Sequence, residues 1–370
     1  MELITSTEEG KTLVLNCPSC GGKLSYSAEK QRILCPFCGH SELPSSESDK
    51  IIEQDLSEAL QQAQDNAPKA KGEKVLSCEG CGAKVIADST RVHIICPFCS
   101  SPKVQESAFQ ENFIQPHGLI PFYIARKEAA DAFNTWIKEG WFRPSDLAKN
   151  ADMEHLRGVY LPFWTYDAQT ESDWEGERGD YYWENESYYE NGQWKTRSVQ
   201  KTRWSWRSGH ISHFFDDVLI HGSRGVNRQV LQKVYPYRLR EAINFDPRLL
   251  MGWEAEIYSI DVREGYSFAD KEMDSSLFGM CRADLGGDTY RGLNVDTSKS
   301  QQTYKHLILP VWVCSYRYND KPYQFIVNGQ TGKINGQKPY SVWKITFAVL
   351  FILAVAAVIA WFYYQSKHPQ

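Results

Sequence analysis

Eight of the ten cysteines fall into two quartets, "CPSCGGKLSYSAEKQRILCPFC" over 17–38 and "CEGCGAKVIADSTRVHIICPFC" over 78–99. Both read C-x2-C-x14-C-x2-C. Zinc takes four thiolates in a tetrahedron. A Cys-x-x-Cys turn presents two sulfurs to one ion, and a second turn, brought round by a short hairpin, completes the shell. The expected ligands are Cys17, Cys20, Cys35 and Cys38 for one ion and Cys78, Cys81, Cys96 and Cys99 for a second. Four protein ligands leave no open position, so both Zn2+ ions are structural. Each can supply about 10–16 kcal/mol of apparent binding free energy to a segment with almost no apolar core. A redox reading needs a single Cys-x-x-Cys pair on a βαβ unit, and the quartets lack that context.

The two copies agree beyond cysteine. Gly21 matches Gly82, Lys23 matches Lys84, Leu24 matches Val85, Ile33 matches Ile94, Pro36 matches Pro97 and Phe37 matches Phe98. Each segment resembles the zinc ribbons of transcription-factor-IIB-type and rubredoxin-like proteins. Many ribbons bind nucleic acid through cations that neutralise phosphates. Residues 1–110 carry 11 Lys and Arg against 15 Asp and Glu. Each zinc with four thiolates adds further negative charge. Lys84, Arg91, His93 and Lys103 form at most a small basic patch, so protein docking fits this half better than nucleic acid.

The quartets need elements to hold them and a place to act. The N-terminal "MELITSTEEG" is acidic with no apolar run, so no cleavable signal is expected. Paired thiols without a signal point to a reducing compartment. Between the ribbons, Ile52, Leu56, Leu60 and Ala63 recur at helical spacing inside a polar linker. A short amphipathic helix over 51–63 is expected there, docking on a partner or on the second ribbon. At the other end, Ile345 to Tyr364 is an uncharged run of 20 residues, about 30 Å as a helix. Trp343, Trp361, Phe362, Tyr363 and Tyr364 flank it like aromatic belts. Lys333, Lys338 and Lys344 precede it and Lys367 alone follows, which favours a cytosolic N-terminus.

The middle of the chain reads as α+β, rich in antiparallel sheet. A strand is expected over 119–125 and a helix over 126–140, with Ala129, Phe133, Trp136 and Ile137 on one face and Gly140 ending it. A second short helix is expected over 144–153. "YLPFWTYDA" (160–168) resembles "ILPVWVCSYRY" (308–318), which suggests a diverged duplication in which Pro162 and Pro310 begin strands. Asn191-Gly192, between alternating aromatic runs, predicts a type I′ hairpin. Further strands are expected near 250–262 and 323–334, with a helix over 266–287 between them. Lys195, Arg197, Lys201, Arg203 and Arg207 interleave with the hairpin aromatics, a pattern that stacks bases in some proteins but more often stabilises a sheet face. His210, His213, Asp216, Asp217 and His221 invite a metal or catalytic reading, although no His-Glu-x-x-His or phosphate-loop motif occurs. Cys281 and Cys314 are expected to be buried thiols.

The two ribbons, "FFDDVLIHGSR", "GWEAEIYSIDV", "VNGQTGKI" leading to "PYS", and the terminal anchor together resemble a family of bacterial membrane-anchored double zinc-ribbon proteins. The resemblance spans nearly the whole chain. Such proteins are often labelled primosomal or helicase-like, and relatives tend to be encoded near SPFH (stomatin/flotillin-like) and phage-shock-A-type proteins. It implies an adaptor at the cytoplasmic membrane and no enzyme, with SPFH or phage-shock-A-type partners. The alternative is a replication-linked nucleic-acid-binding accessory. The expected layout is ribbon 1 over 1–40, a linker with a short helix over 41–74, ribbon 2 over 75–105, the β-rich α+β domain over 106–342, a transmembrane helix over 343–364 and a tail over 365–370.

Overall fold

A computed structural model describes residues 16–43, 51–65, 70–79, 83–86, 104–110, 114–147, 156–250, 253–318 and 321–367. Cys81, Cys96, Cys99 and most of the helix expected over 144–153 lie outside the described residues.

The chain is mixed α+β. Strands β1 (Ser25–Ser27), β2 (Arg32–Leu34) and β3 (Ser41–Glu42) form a three-stranded sheet around the first cysteine quartet. Next come β4 (Gln54–Asp55), helix α1 (Leu56–Asp65), β5 (Ala70–Cys78), β6 (Lys84–Ile86), β7 (Val104–Gln110) and β8 (Gly118–Leu119). Helix α2 (Arg126–Lys138) precedes two very long strands, β9 (Arg157–Glu190) and β10 (Gln193–His221). Helix α3 (Arg228–Gln232), β11 (Ile243–Asn244), β12 (Glu254–Ile257) and helix α4 (Val262–Leu285) follow. Strands β13 (Thr289–Tyr318), β14 (Lys321–Asn328) and β15 (Ile334–Gly336) lead into helix α5 (Val342–Lys367).

The spine is the antiparallel pair β9–β13, which runs from Arg157↔Val313 to Gly179↔Thr289 with register shifts between Arg291 and Asn294 and between Ser300 and Thr303. Its centre explains the repeated Leu-Pro-x-Trp. Leu161 pairs with Leu309, Pro162 with Ile308 and Tyr160 with Pro310, so the two copies face each other about a local two-fold. The prolines do not begin strands, as expected from sequence; they sit inside long ones. The Pro162 carbonyl accepts from Gly222 N (2.7 Å) and the Pro310 carbonyl from Gly329 N (2.9 Å). A residue's N and C=O point to the same strand edge, so each proline aims its missing N–H outward. There β9 changes neighbour from β10 to β12, and β13 changes from β8 to β14.

The duplication extends further than that motif. The Gly222 carbonyl accepts from Ser259 N and Ile260 N, and the Gly329 carbonyl from Tyr123 N and Ile124 N. Trp164 Nε1 donates to Ile260 O, and Trp312 Nε1 to Ile124 O, each at 2.9 Å. One residue after Ile124 and Ile260 stand the N-caps of α2 and α4, Ala125 and Asp261. Each half is therefore an extended segment, a helix, a long strand, its hairpin partner and a glycine turn. Each half's tryptophan is held by the other half's carbonyl, so the two interlock into one body.

Helix α2 forms as expected. Ala129, Phe133 and Ile137 are buried, Phe133 stacks on Phe325 (3.9 Å between centroids), and Gly140 (φ +98°) turns the chain away. The strand expected over 119–125 shrinks to Gly118–Leu119, because Pro121 follows and the next amides bond to the Gly329 turn. The linker helix also differs from expectation. It spans Leu56–Asp65, capped by the Asp55 carboxylate, and docks on the body. Leu56 and Ala59 are buried with Val262, Ala269 and Met273 of α4, and Arg263 Nη2 donates to Leu60 O (2.8 Å). Leu56, Ala59 and Leu60 thus tie the linker to the body. β7 straddles the expected 105/106 boundary by pairing with β5, and β6 pairs with β12.

Candidate metal centre

The first quartet assembles as the spacing predicts. One ligand atom from each of Cys17, Cys20, Cys35 and Cys38 lies within 4.8 Å of all the others. Cys17 Sγ–Cys38 Sγ and Cys20 Sγ–Cys35 Sγ are each 3.5 Å. Four thiolates at about 2.3 Å from one ion form a tetrahedron with edges of about 3.8 Å, and these sulfurs come close to that figure. Each Cys-x-x-Cys is a tight knuckle. Cys17 N donates to Gly22 O (2.6 Å) and Gly21 N to Cys17 O (2.8 Å); Cys35 N donates to His40 O (2.8 Å) and Gly39 N to Cys35 O (3.0 Å). Gly21 (φ +73°) and Gly39 (φ +76°) take the left-handed conformation that closes each knuckle. The amides of Ser19 and Gly22 point at Cys17 Sγ and Cys20 Sγ, both at 3.4 Å.

The electrostatics suit a cation. The N–H of Cys38, working against desolvation and helped by the N–H of Phe37, brings the Cys35 thiol down to about 7. Cys38 goes the other way, to about 12: the His40 N–H lowers it, but the crowded sulfurs of Cys20 and Cys17 raise it more. Four such sulfurs ionise together only around a positive ion. The donor set and its geometry fit one tetrahedral metal.

This centre rests on the body. Cys17, Leu24, Tyr26, Ile33 and Cys35 share an apolar cluster with Phe122, Tyr160 and Trp312. Trp253 Nε1 donates to Tyr26 O (3.1 Å) and Gln31 Nε2 to Phe122 O (2.6 Å). Of the second quartet, Cys78 is described. It is buried, and its N–H donates to Ala83 O (2.9 Å), the same five-residue closure as Cys17 to Gly22 and Cys35 to His40.

The sequence is similar to a known bacterial one. It is 25% identical over 353 residues to a Bacillus subtilis (strain 168) protein described as uncharacterized protein YdjG, covering 89% of this chain and 91% of that one. No family model matches the sequence, and no solved structure matches it.

The histidine-rich run behaves differently from the cysteines. His210 pairs with Asp173 (2.8 Å) and Glu171 (2.9 Å) on an exposed face, His213 packs on Phe215, and His221 is buried. Burial, with Arg228 nearby, pushes His221 down to about 4. Asp217 sits instead with Asp167 and Asp216, a second group of ligand-capable side chains. A protein cation already serves that group: Lys305 Nζ lies 2.8 Å from Asp217 Oδ1 and 3.1 Å from Glu53 Oε1. Desolvation lifts Asp167 to about 6. This network ties the residue before β4 to β9, to the β10 bulge and to β13. Sequence reading missed Asp167, Glu53 and Lys305, which are far apart in the chain; the β9–β13 and β4–β13 pairings bring them together.

Cys281 and Cys314 are buried, as expected. Helix α5 contains a 22-residue apolar span, Val342–Tyr363, with a mean hydropathy of 2.8 and no residue of its apolar window buried against the protein. A single-pass membrane helix has this length and exposure.

The basic-aromatic hairpin sorts its residues by face. Beyond Gly179, where β13 ends its pairing, β9 and β10 continue as a two-stranded ribbon of about 35 Å. One face carries Tyr181, Trp183, Asn185, Ser187 and Tyr189 with Trp194, Thr196, Ser198, Gln200 and Thr202, all uncharged. Trp183 and Trp194 are 67% and 75% exposed. The other face carries every charge from 180 to 203, four acidic and four basic, in ion pairs such as Lys195–Glu190, Arg197–Glu186 and Lys201–Glu184.

Proposed function

We propose that this protein is a cytosol-facing, single-pass adaptor of the bacterial cytoplasmic membrane. Two structural zinc ions stiffen its N-terminal half, and its exposed surfaces hold partner proteins. The observation that carries this reading is the hairpin with separated faces. Exposed Trp and Tyr on an uncharged surface are the residue types that anchor protein interfaces. Stacking and holding single-stranded nucleic acid requires cations beside the aromatics. Here the cations lie on the opposite face, where Lys195, Arg197 and Lys201 pair with carboxylates and Arg197 and Arg203 lie over the rings of their own neighbours Tyr188 and Tyr182. Phe37, 77% exposed at the tip of a knuckle, adds a smaller apolar contact on the ribbon. SPFH and phage-shock-A-type proteins, implied by the family resemblance, are oligomeric scaffolds of the kind that such an adaptor would engage repeatedly.

The test combines metal analysis with capture from solubilised membranes. The full chain should carry two zinc ions, and Cys17→Ser should lose one. In a second variant, residues 181–202 are replaced by Asn-Gly. Nuclease-resistant recovery of an SPFH or phage-shock-A-type protein with the intact chain, lost with the shortened hairpin, supports the reading. Recovery that depends wholly on nucleic acid overturns it.

A further inference from the structure

The body meets the start of helix α5 through one loop. Ser341 N donates to Phe142 O (2.7 Å), and Lys344 Nζ donates to Arg143 O (2.9 Å). Lys338 Nζ donates to Glu139 O (3.1 Å) and lies 4.0 Å above the Trp136 ring. Ser341 immediately precedes Val342, the first residue of the apolar span. Phe142 is therefore pinned at the level where the helix leaves water.

At that level the loop exposes large aromatics. Trp141 is 83% exposed, Phe142 40%, and beside them Tyr340 and Trp343 are 73% and 74% exposed. Lys138 and Arg143 flank the first two aromatics in the chain and Lys338 and Lys344 flank the other two, against the acids Glu139 and Asp146. Amphipathic aromatics flanked by cations match a membrane–water interface with anionic headgroups. A buried protein interface would place fewer uncompensated cations around its core.

We infer that Trp141 and Phe142 are a second membrane contact, an aromatic foot inserted among the lipid headgroups beside the anchor. This rests on α5 spanning the bilayer. The foot and the anchor together hold the body at a fixed orientation, which a single helix with a flexible joint would not do. The hydrogen bonds from Ser341 and Lys344 to the foot make that joint stiff.

The experiment uses the full chain with 5-fluorotryptophan, reconstituted in nanodiscs of phosphatidylcholine and phosphatidylglycerol. Trp141→Phe, Trp343→Phe, Trp361→Phe and Trp183→Phe each assign one fluorine signal. A spin label near the lipid headgroup and a soluble gadolinium chelate are then added in turn. The Trp141 signal should be lost with the lipid-borne label and retained with the soluble chelate, as for Trp343, while Trp183 shows the reverse. A Trp141 signal that behaves like that of Trp183, with Trp361 still shielded from the chelate, overturns the foot and leaves the anchor standing. If Trp361 is also open to the chelate, the anchor itself fails, and the foot with it.

Discussion

Strand β9 has two ends that obey different rules. From Val159 to Ala168 every residue is buried, because β13 and its other neighbours flank the strand edges while helices and the first ribbon cover its faces. From Tyr181 to Glu190 the same strand has one neighbour and two open faces, and none of its residues is buried. The buried end reads as a nearly continuous apolar and aromatic run, "VYLPFWTYDA", broken only by Thr165 and Asp167. The open end alternates instead: its odd positions are all uncharged and every charge falls on an even one, with Tyr182 and Tyr188 among the charges. The buried end keeps two halves of a duplicated body together; the open end has no core to serve and displays side chains outward.

The largest contrast should come from tryptophan. Trp164 is fully buried, donates to Ile260 O and stacks on His306 (4.5 Å between centroids). Trp164→Ala leaves a cavity and an unpaired carbonyl, so it should cost about 3–5 kcal/mol of stability. Trp183→Ala, at the open end, should change stability by less than about 0.5 kcal/mol. Denaturant unfolding of the detergent-solubilised chain measures both. Comparable losses would mean that the hairpin is part of the cooperative core.

Much of this division was legible beforehand. The first cysteine quartet, the membrane-length helix, α2 with its Gly140 stop and the Asn191-Gly192 turn each announce themselves through local chemistry. Leu-Pro-x-Trp pointed to a duplication, but not to its extent. The matching turns "IHGSRG" and "VNGQTG" share little beyond glycine, and "IPFYIARKEA" and "EIYSIDVREG" share an isoleucine and a helix start. What they have in common is backbone hydrogen bonding, which side-chain identity barely records. The prolines misled for a related reason: a missing N–H is tolerated mid-strand where the neighbouring strand changes. The grouping of Lys305 with Glu53, Asp167 and Asp217 was invisible, although Asp217 itself stood out, because their proximity depends on strand pairing between distant parts of the chain.

The buried end should also be the pH-sensitive one. Desolvation pushes His306 down to about 3, with His117 adding to the effect, and pushes His221 down to about 4. Unfolded, both titrate near 6.5. As pH falls below that value the unfolded chain binds more protons, so stability falls until the folded values are reached. Asp167 opposes this. Its folded value of about 6 lies above the unfolded one, so its contribution is present at low pH and is lost as pH rises through about 6. Between about pH 6 and pH 4, each histidine with a depressed value contributes a loss of about 1.4 kcal/mol per pH unit, His117, lowered by burial, adds to it, and Asp167 and the acid-paired His210 offset part of it. His306→Gln should flatten the slope by about that amount over the same interval, read from denaturation midpoints. An unchanged slope would place the pH sensitivity elsewhere.

The smallest expected effect belongs to the tip. Asn191 (φ +53°) and Gly192 (φ +79°) both take left-handed backbone, as a type I′ turn requires. A Cβ added at Gly192 would meet nothing within 4 Å, so Gly192→Ala costs only backbone strain, about 1 kcal/mol. Because the ribbon beyond Gly179 shares no core with the body, that cost should stay local. Hydrogen exchange should quicken for the amides of 182–201, while those of Val159–Ala168 and the global unfolding midpoint stay unchanged. If the tip substitution instead lowered the midpoint of the whole chain, the strand would be one cooperative rod. The open end could then not be treated as an appendage whose sequence is free to serve binding alone.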